Sequence, residues 1–198
     1  MTADLATAKR DLRRAFRARR RRLHATQPDA AHALARRVLL EVPAAPGDVA
    51  AGYWPDDGEI DPRPLMGAWA ERGVALALPA VVERAAPPVY RRWNPGDPLQ
   101  PDRVGIPAPA ASAPSVIPNL VLCPLVAFDA ACRRLGRGGG YIDRALAMLG
   151  SGVRVVGLAW EQQRADRVPV AAHDRSLDLV VTERRVYRRP GAAGAALP

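Results

Sequence analysis

The sequence is short of the residues that most often carry metal, redox and nucleic-acid chemistry. It has two cysteines and three histidines in 198 residues. Cys123 and Cys132 lack metal-like spacing and have no paired histidine nearby, so two reduced thiols are expected rather than a zinc site or a disulfide framework. No apolar run reaches the ~18 residues of a membrane span. The basic N-terminus is not followed by an apolar stretch and a cleavage site, so no signal peptide is read and a cytoplasmic protein fits. Aromatic residues make up 5% of the chain and do not interleave with the basic runs as stacking platforms would. The net charge of +9 would suit a phosphate backbone. It is carried by arginine in a chain biased throughout towards Ala, Arg and Pro, however, so a nucleic-acid partner is not expected. A monomer is the default expectation.

The last scarcity is positive evidence. Lys9 is the only lysine among 29 cationic side chains. Lysine is a compact point charge on a flexible stem, suited to phosphate oxygens, whereas arginine is a planar fork. A bias that replaced lysine wherever it could would leave it where the ammonium is needed.

The length suits one domain with a real core, expected over 1–188, with a disordered Gly/Ala/Pro-rich tail over 189–198. Leu5, Leu12, Phe16 and Leu23 recur near heptad spacing and predict an amphipathic helix over 5–23, with arginine on its other face. Lys9 and Arg13 are four apart and share one face. A second helix opens at Pro28-Asp29 and runs to about Leu40. A strand follows over 48–54, and the turn 55–58 delivers Glu59. Asp61 as N-cap and Pro62 at the first helical position predict a helix to Arg72, stopped by Gly73. Strands are read at 74–78, cut by Pro79, and at 89–93. A long Pro/Gly/Ala-rich loop covers 94–115. Further strands are expected at 116–123, at 154–160 and, as the last, at 177–182. A helix-like segment at 145–149 is stopped by Gly150 and Gly152. Strands alternating with helices predict an α/β fold: a mainly parallel sheet with helices on both faces, Rossmann-like and three-layered, with the N-terminal helices packed alongside.

The chain is organised around 135–144, Leu-Gly-Arg-Gly-Gly-Gly-Tyr-Ile-Asp-Arg. Four glycines in five positions leave backbone N–H groups free to converge on one anion. Where such a loop opens a helix, the helix dipole adds to the attraction. Arg137 adds a full charge. A tight connection needing positive φ explains the glycines equally well. The loop is not a Walker A motif, because no Gly-Lys-Ser/Thr follows. It is not the dinucleotide fingerprint, because Tyr141 stands where the last glycine belongs.

The runs 124–129 (Pro-Leu-Val-Ala-Phe-Asp) and 134–143 (Arg-Leu-Gly-Arg-Gly-Gly-Gly-Tyr-Ile-Asp) closely resemble the signature of the 5-formyltetrahydrofolate cyclo-ligase (5,10-methenyltetrahydrofolate synthetase) family. The likeness extends to 9–13 (Lys-Arg-Asp-Leu-Arg), Glu59, 156–160 with Gln163, His173-Asp174 and 181–183. It implies ATP-dependent cyclisation of 5-formyltetrahydrofolate to 5,10-methenyltetrahydrofolate, with the formyl oxygen phosphorylated on the way. By this resemblance Lys9, Arg10, Asp11, Leu12 and Arg13 contact ATP. Arg134, Leu135, Gly136, Arg137, Gly138, Gly139, Gly140, Tyr141 and Ile142 do so from the loop. Lys9 and Arg137 carry the catalytic charge, since phosphoryl transfer asks mainly for positioning and charge stabilisation. The folate side is assigned to Glu59 and Trp54 together with Arg137, Gly138, Gly139, Gly140 and Tyr141. A carboxylate beside a polyphosphate needs a cation between them, and by the same resemblance Asp143 and Asp174 are the implied Mg²⁺ ligands, with Asp178 as substitute. Trp160 is read as core, Gln163 as nearer the site, and His173 is given no general-base role. The family pattern is broken at Ile142, Pro62 and Ala108, each of which loses a polar group near the presumed folate side. Those breaks leave room for two rivals, an ATP-dependent enzyme acting on another folate or formamide and a catalytically weak folate-binding relative.

Overall fold

The computed structural model describes residues 2–190 except 172, 173 and 175. Helices α1 (Thr2–Thr26) and α2 (Ala30–Glu41) lead into strand β1 (Val49–Ala51). Helix α3 (Arg63–Glu71), strands β2 (Ala75–Ala80) and β3 (Val89–Arg92), and the short strands β4 (Leu99–Pro101) and β5 (Pro107–Pro109) follow. Then come β6 (Leu120–Pro124), β7 (Ala127–Phe128), β8 (Arg134–Leu135), α4 (Tyr141–Leu149), β9 (Arg154–Leu158), β10 (Leu179–Val181) and β11 (Val186–Arg188).

Seven strands form the central sheet in the order β11-β10-β9-β6-β1-β2-β3. The five inner strands are parallel and each edge strand is antiparallel to its neighbour. Alternation along β6 explains the layers. Leu120 and Leu122 face one core with α2 and α3, through Leu34, Val38, Leu65 and Trp69. Val121 and Cys123 face the opposite core, with Ala145 and Leu146 of α4. The expected mainly parallel sheet with helices on both faces is therefore present. Helix α1 packs at the strand ends, where Phe16 and the half-buried Leu12 meet Val126, Ala127 and Leu135.

Four local expectations are corrected. Strand β2 runs through Pro79, because β1 ends opposite Ala77 and leaves no ladder partner there to miss the proline N–H. The stretch 94–115 is not one loop. It holds the β4–β5 hairpin, and Asp102 ties it to β2's end by accepting hydrogen bonds from the N–H groups of Val81, Val104 and Ile106. β10 is not the last strand, since β11 pairs with it; the polar sequence of β11 suits an edge and hides it from a pattern search. Helix α3 starts at Arg63 with Pro62 at its cap, and Asp61 accepts the Arg63 N–H at 2.9 Å. The expected tail lies outside the described residues from 191 onward. Arg189, its first residue, is anchored instead, its N–H donating to the Asp178 carbonyl at 3.0 Å.

Candidate active site

The strand order reverses between β1 and β6, because the chain builds outward from β1 in both directions. In open α/β sheets the crevice outside the C-terminal strand ends at such a switch point is where ligands bind. Two cavities meet there. One, of about 320 Å³, is lined by Lys9, Arg13, Arg134, Asp174 and the loop from Leu135 to Asp143. The other, of about 130 Å³, is lined by Gly52, Tyr53, Trp54, Glu59, Tyr90, Ile106 and Pro107 among others. Pro124, Arg137 and Ile142 stand in both walls.

The first cavity is built on backbone. Gly140 caps α4 in the left-handed conformation, φ 68°, so the helix N-terminus opens into the cavity with its dipole and unpaired N–H groups. A Cβ on Gly140 would lie 2.7 Å from Nη1 of Arg144. Arg144 braces the loop. Its Nη2 donates to the Gly139 carbonyl at 2.9 Å, its Nε donates to the Ala86 carbonyl, and its guanidinium covers the Tyr141 ring. From the other side, Nε of Arg13 donates to the Gly136 carbonyl at 2.9 Å. Lys9 pairs with Asp174, and Arg134 pairs with Asp143.

Both acids line the cavity, and Arg134 lies within electrostatic reach of both. Among the described residues no group of three or more His, Cys, Asp or Glu side chains forms a metal cage. Two carboxylates lining one cavity fit Mg²⁺ all the same, because that ion is usually held by one or two acids, substrate phosphates and water.

The second cavity is built on side chains. Glu59 is 4% exposed. Its Oε1 accepts a hydrogen bond from Nη1 of Arg20 at 3.3 Å, its Oε2 accepts one from the Asp56 N–H at 3.2 Å, and Nη1 of Arg137 stands 4.0 Å from Oε1. Burial raises the Glu59 carboxyl above the ordinary glutamate range, with the Arg20 and Arg137 charges and the Asp56 N–H opposing it. Trp54 meets Trp93 edge-on at 6.3 Å, with the Arg63 guanidinium 4.8 Å above its ring. Asp56 holds Arg137 at 2.6 Å.

The turn carrying Glu59 is locked to α1. Gly58 has φ 76°, and a Cβ there would lie 2.9 Å from Cα of Arg21. Next to it Asp57 receives Arg17, Arg20 and Arg21. Burial alone would raise the Asp57 carboxyl, but the hydrogen bonds from Arg21 and Arg17 and the Arg20 charge hold it at about 2.

Lys9, Arg13, Arg134 and the loop residues from Leu135 to Ile142 thus converge, as do Trp54 and Glu59. Three of the expected nucleotide contacts do not. Arg10 and Asp11 are exposed and pair with each other, and Leu12 packs into the apolar cluster under α1, because helical spacing turns 10–12 away from the face shared by Lys9 and Arg13. Asp178 ion-pairs with Arg189 and lines neither cavity. Gln163 is buried and spends its amide on the carbonyls of Leu125 and Val126. Trp160 is core, and its indole N–H also donates to the Gly58 carbonyl at 3.0 Å. His173 lies outside the described residues. Sequence reasoning missed Arg20, Asp56 and Arg144. Of these only Arg20 left a signal, since it falls between Phe16 and Leu23 on the apolar stripe of α1. Ile142 stands in both cavity walls and Pro62 caps α3, while Ala108 is buried beside Ile106 and Pro107.

Residues 6–183 match the 5-formyltetrahydrofolate cyclo-ligase family. The Escherichia coli K12 5-formyltetrahydrofolate cyclo-ligase is 30% identical over 159 residues, covering 77% of this chain and 87% of that protein. The Mycolicibacterium smegmatis 5-formyltetrahydrofolate cyclo-ligase is 27% identical over 147 residues, covering 70% and 75%. Among solved structures, the Aquifex aeolicus 5,10-methenyltetrahydrofolate synthetase superposes with a TM-score of 0.73 at 29% identity, over 91% of this chain and 92% of its own. A Mycoplasma pneumoniae 5,10-methenyltetrahydrofolate synthetase shares the fold with a TM-score of 0.70 at 19% identity, covering 88% and 98%.

Proposed function

The chain belongs to the 5-formyltetrahydrofolate cyclo-ligase family, and on that premise we propose how its two cavities divide the reaction. The protein is an ATP-dependent ligase that cyclises 5-formyltetrahydrofolate to 5,10-methenyltetrahydrofolate. The larger cavity takes the triphosphate. Glycine-loop N–H groups, the α4 dipole, Lys9, Arg13 and Arg134 supply positive field from several directions. The smaller cavity takes the pterin, whose ring N–H groups meet the buried carboxylate of Glu59 beside the aromatic wall of Trp54.

The observation that carries this division is the place of Arg137. It lines both cavities and is held by Asp56 at 2.6 Å, so its charge lies where the γ-phosphate and the formyl group must meet. The formyl oxygen, a weak nucleophile, attacks the γ-phosphorus in line, and the bond from phosphorus to the ADP oxygen breaks. N10 then adds to the activated formyl carbon and loses its proton, and the carbon–oxygen bond breaks as phosphate leaves. Arg137 and Lys9 follow the charge as it moves to the transferring group. A Mg²⁺ ion held by Asp143 and Asp174 would neutralise phosphate charge at the same end of the cavity. No strong base is required, in keeping with walls that present cations.

Residues 1–188 act as one catalytic unit in this reading, as a monomer in the cytoplasm and on small molecules alone. Burial pushes the Cys123 and Cys132 thiols up to about 11, so both stay neutral and outside the chemistry. The test is spectrophotometric appearance of methenyl-folate from 5-formyltetrahydrofolate, ATP and Mg²⁺. Folded protein that forms no product, or forms it without ATP, would overturn the proposal.

A further inference from the structure

Arg20 has no exposed surface. A guanidinium is retained in a protein interior where its charge is paired and its donors are matched, and the partners of Arg20 are unusually placed. Its Nε donates to the Asp57 carbonyl at 2.9 Å and its Nη2 to Oδ2 of Asp57 at 3.0 Å. Its Nη1 lies 3.3 Å from both Oε1 of Glu59 and the Leu125 carbonyl. These acceptors belong to two segments, the turn after β1 and the chain leaving β6. They are the two sides of the switch-point crevice.

We infer that Arg20 is a positioning residue for the folate site: it sets the orientation of Glu59 and fixes the spacing of the crevice walls. The inference rests on the reading of Glu59 as the pterin contact. With Oε1 taken by Arg20 and Oε2 by the Asp56 N–H, the carboxylate cannot rotate, yet each oxygen keeps a lone pair for a pterin N–H. A lysine at position 20 keeps the charge but not the fork, so it cannot serve Glu59, Asp57 and Leu125 together. An apolar side chain there leaves Glu59 buried with less opposing charge, which favours its protonated form. The groups facing Glu59 are Arg20 from α1, Arg137 from the glycine loop, Cys123 from β6, and Tyr53 and Asp56 from its own segment.

The experiment compares Arg20→Lys, Arg20→Met and Glu59→Gln by steady-state kinetics with each substrate, by pH profile and by melting. Arg20→Lys is expected to raise KM for the folate about tenfold, the scale of one charge-assisted hydrogen bond, and to leave KM for ATP within about twofold. Arg20→Met is expected to move the acid limb of kcat/KM for the folate to higher pH, and adding Glu59→Gln to it removes that limb. A role confined to stability predicts lower melting, equal changes in both KM values and an unmoved limb, and that result overturns the inference. If Arg20→Met does not fold, the KM split in Arg20→Lys decides alone. Glu59→Gln with wild-type folate KM overturns the Glu59 assignment and this inference with it. A folate KM that responds to Glu59→Gln but not to Arg20→Lys overturns this inference only.

Discussion

The two cavities share three wall residues and little else in their construction. The cavity proposed for the nucleotide is mostly main chain: consecutive glycines, a helix N-terminus and carbonyls braced by Arg13 and Arg144. The cavity proposed for the folate is mostly side chain: one buried carboxylate, two tryptophans in edge contact, the fully buried Arg20 and the solvent-reaching Arg137. A backbone nest recognises charge at any residue that can adopt its geometry. A buried carboxylate recognises a pattern of N–H donors and depends on every group that keeps it ionised and still. Damage to the first should therefore read out as nucleotide affinity and rate, and damage to the second as folate affinity and pH dependence.

The largest effects are expected where charge must follow the reaction. Lys9→Ala and Arg137→Ala should each lower kcat/KM by ~2 or more orders of magnitude, the scale of losing a charge clamp in phosphoryl transfer. They should differ in kind. Lys9 stands on the nucleotide side and should leave folate binding intact, whereas Arg137 lines both cavities and should weaken both substrates. Equal behaviour of the two in binding titrations would break the division. Glu59→Gln should raise KM for the folate by roughly ten- to a hundredfold, as loss of a charged acceptor does, with KM for ATP nearly unchanged. Gly140→Ala must place a Cβ at φ 68° and 2.7 Å from Arg144. A cost of ~1–3 kcal/mol for such backbone strain should appear as lower melting and about tenfold weaker ATP binding by calorimetry.

Smaller effects sharpen the comparison at its edges. Asp57 is held at about 2 against an ordinary 3.8, so its ion pairs stabilise the fold above pH ~4 and that contribution is lost as pH falls towards ~2. Asp57→Asn should melt a few degrees lower than wild type at pH 7, and the gap should close across that window; a gap independent of pH would deny the carboxylate this role. Arg10→Ala, which removes an exposed side chain outside both cavities, should leave activity within about twofold. A large loss of ATP affinity there would return that residue to the nucleotide site.

The nucleotide side was the more legible half in sequence, and the reason is contiguity. Gly136 to Asp143 lie within one short segment, so the nest, the helix start and the acid in its first turn can be read together. Even there, resemblance placed Arg10, Asp11 and Leu12 with Lys9 and Arg13, and helix geometry separated them. The folate side draws on α1, the turn after β1, the β4–β5 hairpin and the end of β6. Arg20 and Leu125 are 105 positions apart, and no spacing rule links them. Arg20 read as one more arginine on a basic helix, although its register between Phe16 and Leu23 placed it on the inward face.

Composition and periodicity alone determined the α/β class, the single basic helix at the start, the absence of an apolar span and the glycine loop as a special segment, which resemblance and not composition turned towards an anion. These follow from local preferences and from the alternation of buried and exposed positions. Tertiary structure decided which arginines are solvated and which are buried, that β1 and β6 diverge to open a crevice, and that Arg137 lies between the two cavities. Those outcomes depend on strand order and helix docking, where long-range packing outweighs any local signal.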